Sequence, residues 1–222
     1  MSTATEMIDA VKQGDIAKVE SLTQADPSLV NARADTGESA FILASYYGQR
    51  SIADLLRAKG ADLNIFEAAV AGDTEQVAAY LKTSPELAQA YAHDGWTALH
   101  LAAYFGQRDV AAALLAAGAD VNARTTNAQN NLPLHAAAAG KHRAIVDLLL
   151  DSGADVNARQ EGGWTALHAA AQDGDTPMIA SLLVHGADSN ARNAAGQTPL
   201  VIASSHGHAE AVELLRQHDR VE

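Results

Sequence analysis

Cysteine is absent from the sequence, so neither a disulfide framework nor thiolate chemistry is open to the chain. Long apolar runs are lacking too: none approaches the ~18 residues that suggest a membrane-spanning helix. Basic residues are few, with 15 Lys and Arg against 27 Asp and Glu and a formal net charge of -12. Affinity for nucleic acid comes mostly from Lys and Arg against phosphate. This balance therefore argues against nucleic-acid partners and against anionic membrane surfaces. The opening MSTATEMIDAVKQGD has no basic stretch followed by a long apolar one, and no secretory leader is expected. There is no G-x-S-x-G, no H-E-x-x-H and no phosphate-binding glycine loop, and with them goes the expectation of an enzyme.

Repetition is what the sequence has in plenty. GADLN at 60–64 returns as GADVN at 118–122 and 153–157, and as GADSN at 186–190. A turn glycine recurs at Gly14, Gly48, Gly72, Gly106, Gly174 and Gly207. Each copy reads as a short Ala-rich apolar segment, a Gly turn, and a longer amphipathic segment ending in LL. That is a pair of antiparallel helices, in which small alanines permit close approach and Gly supplies the positive φ of a helix C-terminus. Thr97, Thr165 and Thr198 stand as N-caps, and Pro133 and Pro199 fall on the first helical residue. With 48% hydrophobic residues, the chain has ample material for a core.

Gly95, Thr97, Leu99, His100, Ala102, Ala103, Gly106, Leu114, Leu115, Gly118, Ala119, Asp120 and Asn122 have counterparts in the other copies. In these residues the chain resembles the ankyrin-repeat family over residues 6–218. The resemblance implies an all-α ankyrin-repeat solenoid: stacked antiparallel helix pairs with short β-hairpin fingers at the junctions. A single domain, 1–222, is expected, with repeats at about 5–33, 34–64, 65–91, 92–124, 125–159, 160–192 and 193–222. Polar residues in the first and last repeats predict an array capped at both ends.

One junction is irregular. Gly48 and Gly72 stand 24 residues apart instead of 34, and IFEAAV follows Asn64 at once. Asn64 with Glu67 makes a capping-box pattern, so a helix is predicted to start directly after Asn64 and one finger to be missing. Residues 7–64 align with 65–122 at a constant offset of 58, with 23 identities. The junction reads as the seam of an internal duplication.

His100, His135 and His168 recur one repeat apart, too far to share an ion whose bonds are ~2 Å. The resemblance implies buried imidazoles bonded to the backbone of a neighbouring finger. His206, His208 and His218 form a denser cluster, read as capping with weak surface metal capture as the alternative. No catalytic residue, metal site or cofactor is expected.

Members of the family usually grip partners at the finger tips and at the exposed end of each first helix. The resemblance carries this onto Asp35, Glu38, Tyr46 and Tyr47 in the second repeat. It gives His93, Asp94, Trp96, Tyr104 and Phe105 in the fourth, and Glu161, Trp164, Gln172 and Asp173 in the sixth. Six of the ten aromatics fall on these positions. The Tyr and Phe pairs are expected to lie outside the core as anchors for a partner, while Trp96 and Trp164 either anchor or brace neighbouring fingers. The finger at 125–131 carries about two extra residues and either reaches a partner or is a tolerated insertion. The expected function is a non-catalytic protein–protein interaction scaffold, a cytoplasmic monomer. Its partner is a protein with a basic or mixed-polar epitope, with no nucleic acid and no membrane involved. The rival readings are a small-molecule or metal-binding module and a homo-oligomeric structural protein.

Overall fold

The computed structural model describes residues 3–219. The domain as read from the sequence, 1–222, also takes in residues 1–2 and 220–222, the latter in its last repeat, and these lie outside the described residues. Within 3–219 fourteen α-helices form consecutive pairs: α1 (Thr3–Gln13) with α2 (Ile16–Ala25), α3 (Ala40–Tyr46) with α4 (Arg50–Ala58), and α5 (Ile65–Ala71) with α6 (Thr74–Thr83). They continue as α7 (Ala98–Tyr104) with α8 (Arg108–Ala116), α9 (Pro133–Ala139) with α10 (Arg143–Asp151), α11 (Ala166–Asp173) with α12 (Thr176–Val184), and α13 (Pro199–Ser205) with α14 (Ala209–His218). Each first helix packs on the first helix of the next pair, so the chain is a row of pairs with one continuous core. No helix among the described residues is long and apolar enough to cross a membrane.

The alanines explain how helices of only seven or eight residues stack. Ala68 and Ala69, Ala102 and Ala103, Ala137 and Ala138, and Ala170 and Ala171 are all buried between neighbouring first helices. A larger side chain there would push the rows apart. Turn glycines such as Gly72 and Gly174 take the left-handed conformation at a helix end. In the fifth repeat Lys141 takes it instead, at φ 61, and the preceding Gly140 passes where a Cβ would collide with the Tyr104 carbonyl oxygen.

The recurring GAD-x-N phrase has a mechanical meaning. Asn122 donates to the Gly153 carbonyl (3.2 Å) and accepts from the Asp155 amide (2.9 Å). Asn157 does the same to Gly186 and Asp188, at 3.0 and 2.8 Å. Each Asn thus clamps the next copy of its own phrase. Asn64 is diverted: its side chain accepts from the Phe66 and Glu67 amides at 2.9 and 3.1 Å, and Glu67 accepts from the Asn64 amide at 2.8 Å. This is the capping box that lets α5 begin at once. The Leu63 carbonyl is taken up by Gln76 and Tyr80 of α6, both at 2.9 Å. Asn64→Ala removes the cap and is expected to lower stability by about 1 kcal/mol, read as a lower urea midpoint at unchanged slope.

Fingers stand at the other junctions as tight turns. Those at 33–39 and 91–97 are closed by single antiparallel bridges, Arg33 with Ser39 and Tyr91 with Thr97. No sheet forms among the described residues. Packing is thinner across the seam, where α3 lies less fully on α5 than α5 on α7, and α4 and α6 barely meet.

Candidate functional site

The three buried histidines are structural. His100 Nε2 donates to the Asn131 carbonyl (3.0 Å), His135 to Ala158 (3.1 Å) and His168 to Gln197 (3.1 Å). Each Nδ1 accepts an amide at the start of its own helix, from Thr97, Leu132 and Thr165 at 3.3, 3.2 and 3.2 Å. A neutral imidazole with its proton on Nε2 satisfies both contacts. In the C-terminal cluster His206 and His208 stack at 6.2 Å, and His208 Nε2 donates to the Gln172 carbonyl at 2.8 Å. That bond ties α14 to the end of α11, as a capping histidine would. Among the described residues no three His, Asp or Glu side chains are grouped to hold a metal ion.

The seam brings the second and fourth repeats face to face, with no finger between them. Tyr46, at the end of α3, donates to Asp94 Oδ2 across the gap at 2.8 Å and stands 5.6 Å from Phe105. Tyr104 meets Phe105 and Trp96 edge to face at 5.2 and 5.7 Å. Five of the thirteen sequence-nominated residues therefore make one patch: Tyr46, Asp94, Trp96, Tyr104 and Phe105. Burial of the Tyr46 hydroxyl, and the Asp94 carboxylate beside it, raise the tyrosine pKa. Tyr47 is 54% exposed next to the patch.

The expectation that the paired aromatics lie outside the core needs correction. Phe105 packs against the core, as do Trp96 and Trp164. Phe105 stands beside the Tyr46 ring, and each Trp covers its own buried histidine, Trp96 over His100 and Trp164 over His168, both at 5.7 Å. Tyr46, Tyr47 and Tyr104 stay exposed.

The sixth-repeat residues form a separate group. Asp173 pairs with Lys141 at 3.0 Å, Glu161 joins the preceding finger through its amide to Gln129 (3.0 Å), and Gln172 gives its carbonyl to His208. Asp35 and His93 are exposed on the finger tips. The long finger turns inward. Asn127 donates to the Asp94 carbonyl (2.9 Å) and its Oδ1 accepts from Thr125 and Gln129, at 2.9 and 3.1 Å. Its extra residues tie it to its neighbours on both sides.

Sequence reading missed Arg33, Phe66, Glu67 and Tyr91. With Glu38, Tyr46 and Asp94 they line a cleft of about 180 Å³ beneath the gap. Glu67 is buried, 1% exposed, and paired with Arg33 at 3.4 Å. One signal was available. The helix position held by His100 in the fourth repeat is Ile42 in the second, and no finger follows α3 to receive a bond.

A family profile described as "Ankyrin repeats (3 copies)" matches residues 65–160 and 134–222, everything from the seam onward. Over 122 residues the chain is 43% identical to "Ankyrin repeat and SAM domain-containing protein 6" of Rattus norvegicus. That match takes in 55% of this chain and 11% of that protein.

Proposed function

Since the chain belongs to the ankyrin-repeat family, whose members generally serve as protein–protein interaction modules, we propose that it is a non-catalytic binding scaffold gripping its partner at the patch across the seam. One observation carries this reading: Tyr46 and Tyr104, 39% and 38% exposed, are joined through Phe105 into one aromatic surface, with Tyr47, 54% exposed, following Tyr46 in the chain. Tyrosines held in place by ring contacts lose little entropy on binding and dominate interface energetics. The surrounding acids define the partner. Asp35, Glu38 and Asp94 outnumber the nearby cations, since Arg33 is already paired with Glu67. A partner segment carrying basic and apolar side chains complements that field and is steered toward it at low salt.

A photo-crosslinking amino acid at position 47 tests the location. It is expected to capture a protein from the native host's lysate, while the same group at position 184 captures nothing. Val184 is 85% exposed but lies on α12, remote in the row. Capture at 184 and none at 47 would move the recognition surface elsewhere.

A further inference from the structure

The edges of the gap are unlike those of any other junction. Elsewhere, successive fingers are joined by one backbone hydrogen bond: Thr126 to Gly95 (3.0 Å), Glu161 to Gln129 (3.0 Å) and Ala194 to Gly162 (2.7 Å). The equivalent donor in the 91–97 finger is the His93 amide, which has no hydrogen-bond partner among the described residues. Across the gap, the Gly37 carbonyl receives only Arg33 of its own finger among the described residues, at 3.0 Å. That arginine is redirected as well. Arg124 and Arg159 reach the backbone of the following finger, at Arg159 and Arg192, whereas Arg33 turns to Glu67. The His93 ring leans over the opening, 3.4 Å from where a Cβ on Gly37 would lie.

Beneath that ring is the cleft. Its 180 Å³ is below the ~300–1,000 Å³ of a small-molecule pocket, so it suits one side chain better than a metabolite. Three carboxylates line it, Glu38, Glu67 and Asp94, against the single cation Arg33. Two of the three are occupied. Glu67 accepts from Asn64 and Arg33, and Asp94 accepts from Tyr46 and the Trp96 amide. Glu38 is different: one of its two oxygens, Oε2, is shielded from solvent and has no hydrogen-bond partner among the described residues. A buried acceptor left unpaired costs free energy that a donor entering the cleft recovers. Hydrogen bonding by Thr36 lowers the Glu38 pKa, which keeps that acceptor charged. Tyr46, Phe66 and Tyr91 supply aromatic walls, against which an aliphatic stem and a cationic head both pack well.

We propose that the cleft is a socket for one lysine or arginine side chain, carried by an extended partner segment that lies over the 33–39 and 91–97 fingers. The segment's backbone meets the free His93 amide, and its cation meets Glu38 Oε2. This rests on the partner-binding reading above, and the test separates the two.

Ten-residue peptide libraries are displayed on phage with the central residue fixed as Arg, Lys, Gln or Glu, and are panned on the immobilised full chain at about 150 mM salt, where long-range attraction is screened. The Arg and Lys libraries are expected to be retained at least ~10-fold above the Gln library, as a charge-assisted hydrogen bond requires. Glu38→Gln keeps the shape and is expected to bring that ratio close to one. Glu210→Gln removes the same charge from an exposed site on α14 and is expected to leave the ratio intact. Equal retention of Arg, Lys and Gln libraries, or equal losses in the two variants, overturns the socket. If the libraries are retained whatever their central residue, and Tyr47→Ala with Tyr104→Ala abolishes that retention, only the socket fails. If no library is retained, the partner-binding reading fails with it.

Discussion

Acidification from pH 7 to pH 4 is expected to remove most of the stability of the array. His100 and His135 are 0% and 4% exposed, and burial pushes both pKa values down to about 4 from the usual 6.5. His168 moves in the same direction, also through burial. The geometry shows what protonation would do. A second proton would sit on Nδ1, facing the amide that Nδ1 now accepts and, at His100 and His168, displacing the threonine hydroxyl proton directed at it from 2.8 Å. The unfolded chain takes up that proton near pH 6.5, and the folded chain resists it down to about pH 4. The stabilisation is therefore complete above pH 6.5 and is lost as pH falls through that window. At ~1.4 kcal/mol for each pH unit, each of the two imidazoles contributes roughly 3 kcal/mol. The pair approaches the ~5–15 kcal/mol of an ordinary domain's whole stability. Urea midpoints between pH 6.5 and 5 isolate the effect, because ordinary carboxylates titrate lower. They are expected to fall steadily in the wild-type chain and much less in the His100→Gln, His135→Gln double variant. A flat wild-type profile would contradict the account.

Truncating two tyrosines is expected to separate binding from folding. Tyr47→Ala with Tyr104→Ala should weaken binding of the crosslinked partner at least ~30-fold, since one true hot-spot aromatic is worth ~2 kcal/mol. Both side chains are more than a third exposed, so the melting temperature should shift little. Phe105→Ala is the wrong probe, because Phe105 packs on the core and on the rings of Tyr46 and Tyr104. A change there would lower stability along with affinity. If the tyrosine double variant binds its partner with unchanged affinity, the patch is not the recognition surface.

The helices, their caps and the missing finger were legible because they are written locally. Asn64 and Glu67 are three residues apart, and a capping box needs nothing further away. The histidines were legible through the family resemblance, which implies a buried imidazole at that position of the repeated phrase. The cleft was not. Arg33 and Glu67 are 34 positions apart, Tyr46 and Asp94 48, and no short pattern joins them. The role of Phe105 was misjudged for the same reason: its packing partner Tyr46 lies 59 positions away in the chain. The subtler sign lay in one substitution. Ile42 holds the position of His100 in the second repeat, after which α5 starts with no finger between. Where there is no carbonyl to receive a hydrogen bond, an imidazole gives way to an aliphatic side chain.

The seam also sets how the row behaves as a chain of coupled units. Every pair of helices touches only its neighbours, so cooperativity passes from one to the next through each interface in turn. Between α3–α4 and α5–α6 that interface is at its thinnest, and the capping box gives the second block a helix start of its own. Fluctuations that open the first two pairs can therefore halt at Asn64 without spreading into the rest. Those two pairs carry half of the socket, Arg33, Glu38 and Tyr46, and the other half sits on the more continuous block. A partner lying across the gap would close the one weak link in the row and join two folding units into one.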